Sequence, residues 1–122
     1  MSAPSGVLVV DDHRPFRLAA RGLLAGTPDL VLVGEATSGE EAVELATRLR
    51  PRVVLMDVRL PGIDGIEATR RILAVAPATV VVLVSTHRQD DLPGGWRTCG
   101  AVAFWRKEEL DMEALGALAA GR

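Results

Sequence analysis

Acidic, hydroxyl and amine side chains stand at the ends of the apolar runs of this sequence. Asp11 and Asp12 follow the first run, Asp57 follows the third, Ser85 closes the fourth, and Lys107 comes soon after the fifth. Any one of these aspartates could equally form a turn or cap a helix. Clustered carboxylates repel one another, so they stay ionised together only around a cation. A few carboxylate oxygens suit Mg²⁺, which also takes phosphate oxygens, and the five positions together favour such a site.

The apolar runs that precede these residues are short, continuous and rich in valine. Continuous hydrophobicity of this length predicts strands that are buried on both faces, as in a parallel sheet. The predicted strands are Val7 to Val10, Leu30 to Val33, Val53 to Met56, Val80 to Val84, and Ala101 to Trp105.

Helical patterns lie between the predicted strands. Their bounds are Pro15 at the start of the first, Ser38 and Pro51 around the second, Asp64 and Pro77 around the third, and Asp111 before the last. Glu41 and Glu67 are expected to complete capping boxes with Ser38 and Asp64. The predicted buried stripes are Phe16, Ala19, Ala20, Leu23 and Leu24; Ala42, Leu45, Ala46 and Leu49; Ile66, Ile72, Leu73 and Ala76; and Met112, Leu115, Leu118 and Ala119.

The segment between Ser85 and Gly100 should hold the fourth helix, yet it contains Pro93-Gly94-Gly95. Proline removes a backbone donor and glycine disfavours a helix, so we expect this helix to be short, broken or mobile. The alternation of strands and helices predicts an α/β fold, a doubly wound parallel sheet of five strands with about five helices. In such sheets the chemistry lies at the carboxyl ends of the strands.

Length, charge and composition narrow the function. The 122 residues, 48% of them hydrophobic, predict a single domain over residues 1–122. A net charge of −2 without a basic cluster argues against direct nucleic-acid binding. Cys99 is the only cysteine, which excludes an internal disulfide, and we expect it to be a small buried hydrophobe. No apolar run is long enough to cross a bilayer, so we expect a soluble cytoplasmic protein with no membrane contact.

Four stretches of the sequence resemble the response-regulator receiver family of two-component systems, over essentially the whole chain. They are Val9-Val10-Asp11-Asp12-His13, the run LMDVRLPGIDG from Leu55 to Gly65, Val84-Ser85-Thr86, and the run GAVAFWRK from Gly100 to Lys107. The second stretch is most similar to receivers that precede a helix-turn-helix DNA-binding output domain. The resemblance implies a flavodoxin-like sheet with strand order 2-1-3-4-5.

The resemblance also implies roles for the residues at the strand ends. Asp57 would accept a phosphoryl group from a phosphohistidine of a sensor histidine kinase. Asp12 would bind Mg²⁺ directly and Asp11 mainly through water, with the backbone carbonyl of Arg59 as a further ligand; Mn²⁺ can substitute. Lys107 would neutralise charge on the phosphoryl group, as phosphoryl transfer requires.

A second set of implied roles concerns the switch. Ser85 and the backbone amide of Thr86 would hydrogen-bond the phosphoryl oxygens, drawing the Ser85 loop inward. Phe104 would then turn inward and change the surface of the fourth helix, fifth strand and fifth helix; its alternative role is that of an ordinary packed aromatic. Arg59 and His87 would tune how fast water removes the phosphoryl group.

The implied function is a phosphorylation-dependent switch that catalyses only its own phosphotransfer and dephosphorylation. Its partners would be the kinase, a C-terminal DNA-binding domain absent from this chain, and a second copy in a homodimer that uses the fourth-helix surface or the first- and fifth-helix surfaces. Trp96 and Trp105 add a hypothesis of their own: Trp105 packs in the core, or the two form an exposed patch for a partner.

Other functions fit the residues of this sequence less well. A phosphatase of the haloacid-dehalogenase class would need a second acid where this chain has Arg59. A nucleotide-binding P-loop is absent from the sequence, and an acidic pocket would repel the phosphate of a flavin. The more serious rival is a degenerate receiver that acts as a phosphorylation-independent interaction module. The complete acidic pocket argues against this rival, and the damaged fourth helix argues for it.

Overall fold

A computed structural model describes residues 3–88 and 92–121. Its elements, in chain order, are β1 (Ser5–Val10), α1 (Arg14–Ala25), β2 (Leu30–Ala36), α2 (Gly39–Leu49), β3 (Val53–Asp57), α3 (Gly65–Val75), β4 (Val80–Ser85), β5 (Ala103–Arg106), a 3-10 turn (Lys107–Glu109) and α4 (Met112–Ala120). The five strands are parallel and lie in the order β2-β1-β3-β4-β5. The predicted doubly wound sheet and its strand order are therefore confirmed. None of the helices in these two ranges is long and apolar enough to cross a membrane.

The sheet separates two apolar layers. On one face α2 and α3 cover the sheet, with Ile72 packed in a cluster that includes Leu8. On the other face α1 and α4 cover it, with Leu115 packed in a cluster that includes Val7. Neighbouring residues of a strand point to opposite faces, so the central strands β1, β3 and β4 supply both layers. Cys99 is buried in the first layer, as expected.

The two edge strands differ from the predicted burial on both faces. Val31 and Val33 of β2 are 43% and 40% exposed, and every residue of β5 is half-buried. The prediction was wrong for these strands because an edge strand has a neighbour on one side only, and its place in the sheet is not encoded in its own hydrophobicity. Their bounds also moved: β2 continues to Ala36, and β5 begins at Ala103.

The helix starts follow the predicted caps in part. Ser38 Oγ accepts the N–H of Glu41 at 3.1 Å, and Asp64 Oδ1 accepts the N–H of Glu67 at 2.8 Å. The Glu41 carboxylate accepts a hydrogen bond from the residue before Ser38, and the Glu67 carboxylate pairs with two arginines of α3, so neither closes a full capping box. Asp111 caps α4 as predicted.

The buried stripe of α1 is narrower than predicted. Ala20 and Leu24 are buried, whereas Ala19 is exposed and Leu23 is 46% exposed. Because α1 packs over β1 and the edge strand β2, no further strand among the described residues covers the margin of its apolar stripe. The same holds at the end of α2, where Leu49 is 39% exposed.

The connection from β4 to β5 contains turns where a helix would complete the alternation. Residues 94–98 form turns, and the described residues from 92 to 102 include no helix. Gly95 (φ +91°) and Gly100 (φ +103°) take left-handed conformations, and a Cβ atom at either would collide with a side chain of α3. The predicted broken helix is borne out here, and the expected five helices become four in the described part. Residues 89–91 of the predicted helix lie outside it.

Candidate functional site

Three carboxylates meet at the carboxyl edge of the sheet. One oxygen from each of Asp11, Asp12 and Asp57 lies within 4.8 Å of the others. Adjacent strands bring them together, because Val10 of β1 pairs with Met56 of β3 and the aspartates follow directly. Asp11 and Asp57 are 0% and 6% exposed, whereas Asp12 is exposed. The cluster is thus buried on one side and open to solvent on the other.

Lys107 joins the two buried carboxylates. Its Nζ lies 2.6 Å from Asp11 Oδ2 and 3.7 Å from Asp57 Oδ2. Asp11 Oδ2 is buried and makes no well-aligned hydrogen bond in the part of the chain that is described, so the ammonium meets it as an ion pair. The same Nζ lies 4.7 Å from the ring centroid of Phe16, a cation–π contact from α1. Lys107 is therefore held between two acids and an aromatic face.

The acidity of Asp57 reflects this crowding. Burial raises the pKa of Asp57 to about 7, and repulsion by the Asp11 carboxylate adds to the rise. The Lys107 ammonium and a hydrogen bond from the Arg59 backbone oppose the rise in this pKa. A divalent cation among the three acids would favour the ionised form of Asp57. Three carboxylate oxygens at this spacing fit a hard cation such as Mg²⁺.

The turn after Asp57 depends on a residue without a side chain. A Cβ atom at Gly65 would collide with the backbone oxygen of Asp57, and the Gly65 N–H donates to the Val58 carbonyl at 2.8 Å. The Ile63 N–H donates to the Glu40 carboxylate of α2 at 3.1 Å. The loop therefore folds back tightly directly after Asp57.

Asp11 is fixed through its main chain as well as its side chain. Its N–H donates to the Ala36 carbonyl of β2 at 3.0 Å, and its carbonyl accepts from Arg17 Nη1 at 2.9 Å. Its Oδ1 accepts the N–H of His13 at 2.8 Å. The loop that carries the first two acids is thus tied to β2 and α1.

The residues after β4 lie at the same edge. Asp57 pairs with Val84 in the sheet, so Ser85 stands one position beyond the acid. Ser85 is 1% exposed, and its Oγ accepts the N–H of His87 at 3.0 Å. Thr86 and His87 are exposed, and Arg59 is exposed after Asp57. Their placement at the rim accords with the predicted roles, which stay predictions.

Phe104 lies away from the acids, on the α2–α3 side of β5. Its ring centroid is 5.5 Å from that of Trp96, and the Arg97 guanidinium lies 4.5 Å from the Trp96 centroid. Trp105 packs against the opposite layer, because successive strand residues face opposite sides. The hypothesis of a joint Trp96 and Trp105 patch is therefore wrong, and the packed role of Trp105 holds.

The sequence patterns did not predict the contacts that Phe16 and Arg17 make with the site. Phe16 was assigned to the core stripe of the first helix, and Arg17 carried no prediction at all. Their position one turn after the Asp11-Asp12-His13 motif is the one signal that could have indicated them.

Comparison with known proteins identifies relatives over most of the chain. A family model described as the response regulator receiver domain matches residues 7–119. The response regulator GacA of Pseudomonas aeruginosa is 44% identical over 101 residues, which cover 83% of this chain and 47% of GacA. The chain thus spans about half the length of this relative.

Relatives with other names share the same region. A Myxococcus xanthus protein named protein-glutamate methylesterase/protein-glutamine glutaminase 4 is 47% identical over 106 residues, covering 85% of this chain and 30% of that protein. Among solved structures, the signal receiver domain of the putative response regulator NarL from Mycobacterium tuberculosis superposes with a TM-score of 0.90 at 31% identity, covering 99% of this chain and 100% of that one.

Proposed function

The chain belongs to the response regulator receiver domain family, and we propose that it is a phosphorylation-dependent signalling switch whose acceptor is Asp57. The observation that carries the proposal is the meeting of the Asp11, Asp12 and Asp57 oxygens within 4.8 Å, with the Lys107 ammonium reaching two of these acids. We take residues 1–122 as one receiver domain, in keeping with the full coverage of the NarL receiver structure.

In the proposed reaction Asp57 is the nucleophile. One of its oxygens attacks the phosphorus of a histidine kinase phosphohistidine; the O–P bond forms as the P–N bond breaks, and the electron pair of that bond stays with the imidazole. Asp12 and Asp57 directly, Asp11 mainly through water, and the Arg59 carbonyl would hold Mg²⁺, which would neutralise charge on the phosphoryl oxygens. Lys107 supplies a second positive charge from the side of Asp11.

The acyl phosphate then acquires donors from this chain. The Ser85 hydroxyl already accepts a hydrogen bond from His87, so its own proton is available to a phosphoryl oxygen, as is the backbone N–H of Thr86. These bonds draw the end of β4 towards Asp57. Phe104 shifts with it and carries Trp96, its ring neighbour, so the described turn at residues 94–98 is the surface that changes. Arg59 and His87 at the rim set how readily water reaches the phosphoryl group.

The partners follow from the same proposal. The donor is a sensor histidine kinase, and the output is a DNA-binding domain in a longer natural protein. A relative named transcriptional regulatory protein DegU, of which this chain covers 46%, supports this output. Leu18 and Leu23 of α1, 44% and 46% exposed, support a homodimer through the α1 and α4 surfaces, α4 being the fifth helix of the family pattern. Magnesium, or manganese in its place, is the proposed cofactor, and we place the switch in the cytoplasm.

A mass measurement tests the proposal. The protein is incubated with Mg²⁺ and a small acyl phosphate, and its intact mass is recorded before and after hydroxylamine. We expect one phosphoryl adduct that survives acid and is removed by hydroxylamine, and none on Asp57→Asn. The proposal fails if no adduct forms, or if Asp57→Asn gains the same adduct.

One observation favours a second function. The described residues 92–102 carry turns in place of a helix, so a surface used by related receivers is altered here. A degenerate receiver would bind its partner regardless of phosphorylation. Under that alternative, Asp57→Asn and wild type bind the partner equally before and after phosphodonor treatment.

A further inference from the structure

Arg17 contacts the acidic cluster through the main chain of Asp11. It stands in the first turn of α1, and its side chain is only 15% exposed. Its Nη1 donates to the main-chain oxygen of Asp11 at 2.9 Å, while its Nε donates to Glu35 Oε1 at 3.3 Å. A single guanidinium thus bridges α1, the end of β2 and the residue that begins the acidic motif.

Glu35 is itself held in place. Its second oxygen accepts from Arg21 Nε at 2.7 Å, and this hydrogen bond is the main cause of the lowered pKa of Glu35. Glu35 faces Val9 of β1 in the sheet, two residues before Asp11. The carboxylate therefore stays ionised and fixes the plane of the Arg17 fork, as bidentate or bridging arginine contacts do.

We propose that Arg17, oriented by Glu35, is a positioning residue that holds Asp11 in the geometry needed to bind a divalent cation. The inference rests on the proposed function, since it assigns Asp11 to the cation site. Asp11 receives its remaining main-chain restraint from Ala36, so Arg17 supplies the restraint on the carbonyl side of the residue. Without it, the loop from Asp11 to His13 gains freedom, and cation binding must restrict that freedom again.

Charge alone does not explain the arrangement. Arg21 carries the same charge on the same helix and pairs with the same carboxylate, but its side chain is 52% exposed. Arg17 is the member of the pair that donates to Asp11. Loss of a partner that orients a metal ligand commonly weakens metal binding by about 10- to 100-fold.

The test uses Mn²⁺ as the probe and electron paramagnetic resonance of free Mn²⁺ as the readout, on the whole chain. We expect Arg17→Met to raise the Mn²⁺ dissociation constant by about tenfold. Arg17→Lys keeps the charge but lacks the guanidinium that bridges Asp11 and Glu35, so its affinity for Mn²⁺ should fall severalfold. Arg21→Met should change the constant by less than threefold. Thermal unfolding of each variant sets a temperature at which all of them are folded.

The outcomes separate this inference from the proposed function. If wild type binds Mn²⁺ and Arg17→Met or Arg17→Lys binds it equally well, the positioning role is wrong while the switch stands. If Arg21→Met loses as much affinity as Arg17→Met, the loss follows from net charge or from Glu35 rather than from the Arg17 contact with Asp11, and the positioning role is again wrong. If wild type itself binds no Mn²⁺, the cation site fails together with the inference.

Discussion

Lys107 Nζ lies closer to Asp11 than to Asp57, at 2.6 Å against 3.7 Å. Before phosphorylation the ammonium therefore compensates the most deeply buried acid of the site. A cation that binds Asp11 would take over that compensation and release the ammonium for the phosphoryl group. The same lysine can thus serve stability in one state and charge neutralisation in the other.

Removal of the lysine should destabilise the protein in a way that Mg²⁺ repairs. Lys107→Met leaves the Asp11 carboxylate, 0% exposed, without its charge partner, which we expect to cost about 3 kcal/mol of unfolding free energy in EDTA. Mg²⁺ should stabilise this variant more than wild type, because it supplies the missing positive charge. Urea unfolding with EDTA and with Mg²⁺ measures both effects. An equal Mg²⁺ response in the two proteins would contradict the shared role of lysine and cation.

The raised pKa of Asp57 predicts a pH dependence of stability in the metal-free protein. The folded-state pKa is about 7 and the ordinary value is 3.8, so the folded state holds its proton more tightly than the unfolded state. This contribution to unfolding free energy is present below pH 3.8, falls between there and about 7, and stays lost at higher pH. The asparagine of Asp57→Asn does not titrate. The unfolding free energy of this variant relative to wild type should therefore rise between pH 5 and pH 8, by at most about 3 kcal/mol. Denaturant unfolding in EDTA at the two pH values measures the gain.

The control for that measurement is a carboxyl outside the site. Glu108→Gln removes an acid that is 63% exposed, and its stability relative to wild type should change little over the same interval. Equal stability differences between Asp57→Asn and wild type at pH 5 and pH 8 would mean that Asp57 is not buried among like charges.

The contact between Phe16 and Lys107 predicts a kinetic effect. Phe16→Leu keeps an apolar side chain but removes the ring face beneath the ammonium, so phosphorylation by a small acyl phosphate should slow by about threefold to tenfold. Phe16→Tyr keeps the ring and should retain the wild-type rate. Ala19→Ser, an exposed change on the same helix, is the control. If the Tyr and Leu variants have the same rate, the ring face does not position Lys107.

The pairing of Trp96 with Phe104 offers an optical test of the output. In a Trp105→Phe background, Trp96 is the only tryptophan, and its ring lies 5.5 Å from that of Phe104. Phosphorylation of Asp57 should change the emission intensity of Trp96 as Phe104 moves. Adding the substitution Asp57→Asn should abolish this response. Emission that is unchanged in a protein fully phosphorylated by mass would favour an output that bypasses Phe104.

The meeting of the acidic side chains could be predicted from the sequence because a parallel sheet carries the ends of its strands to one edge. Asp11, Asp57 and Lys107 could be placed from their strands alone. The degree of burial of Val31 could not be predicted from the sequence, because it depends on which strand lies at the edge of the sheet. The contacts of Phe16 and Arg17 escaped prediction for a similar reason: they join residues far apart in the chain, and the packing angle of α1 decides them.

Asp57, and no other residue, is the proposed acceptor of the phosphoryl group. Reduction of the phosphorylated protein with tritiated borohydride converts an aspartyl phosphate to homoserine and labels the acceptor. After proteolysis and sequencing, we predict tritiated homoserine at position 57 and no label when Asp57→Asn is treated in the same way. Label at Asp11 or Asp12, or a phosphorylated protein that yields no homoserine, would contradict the account.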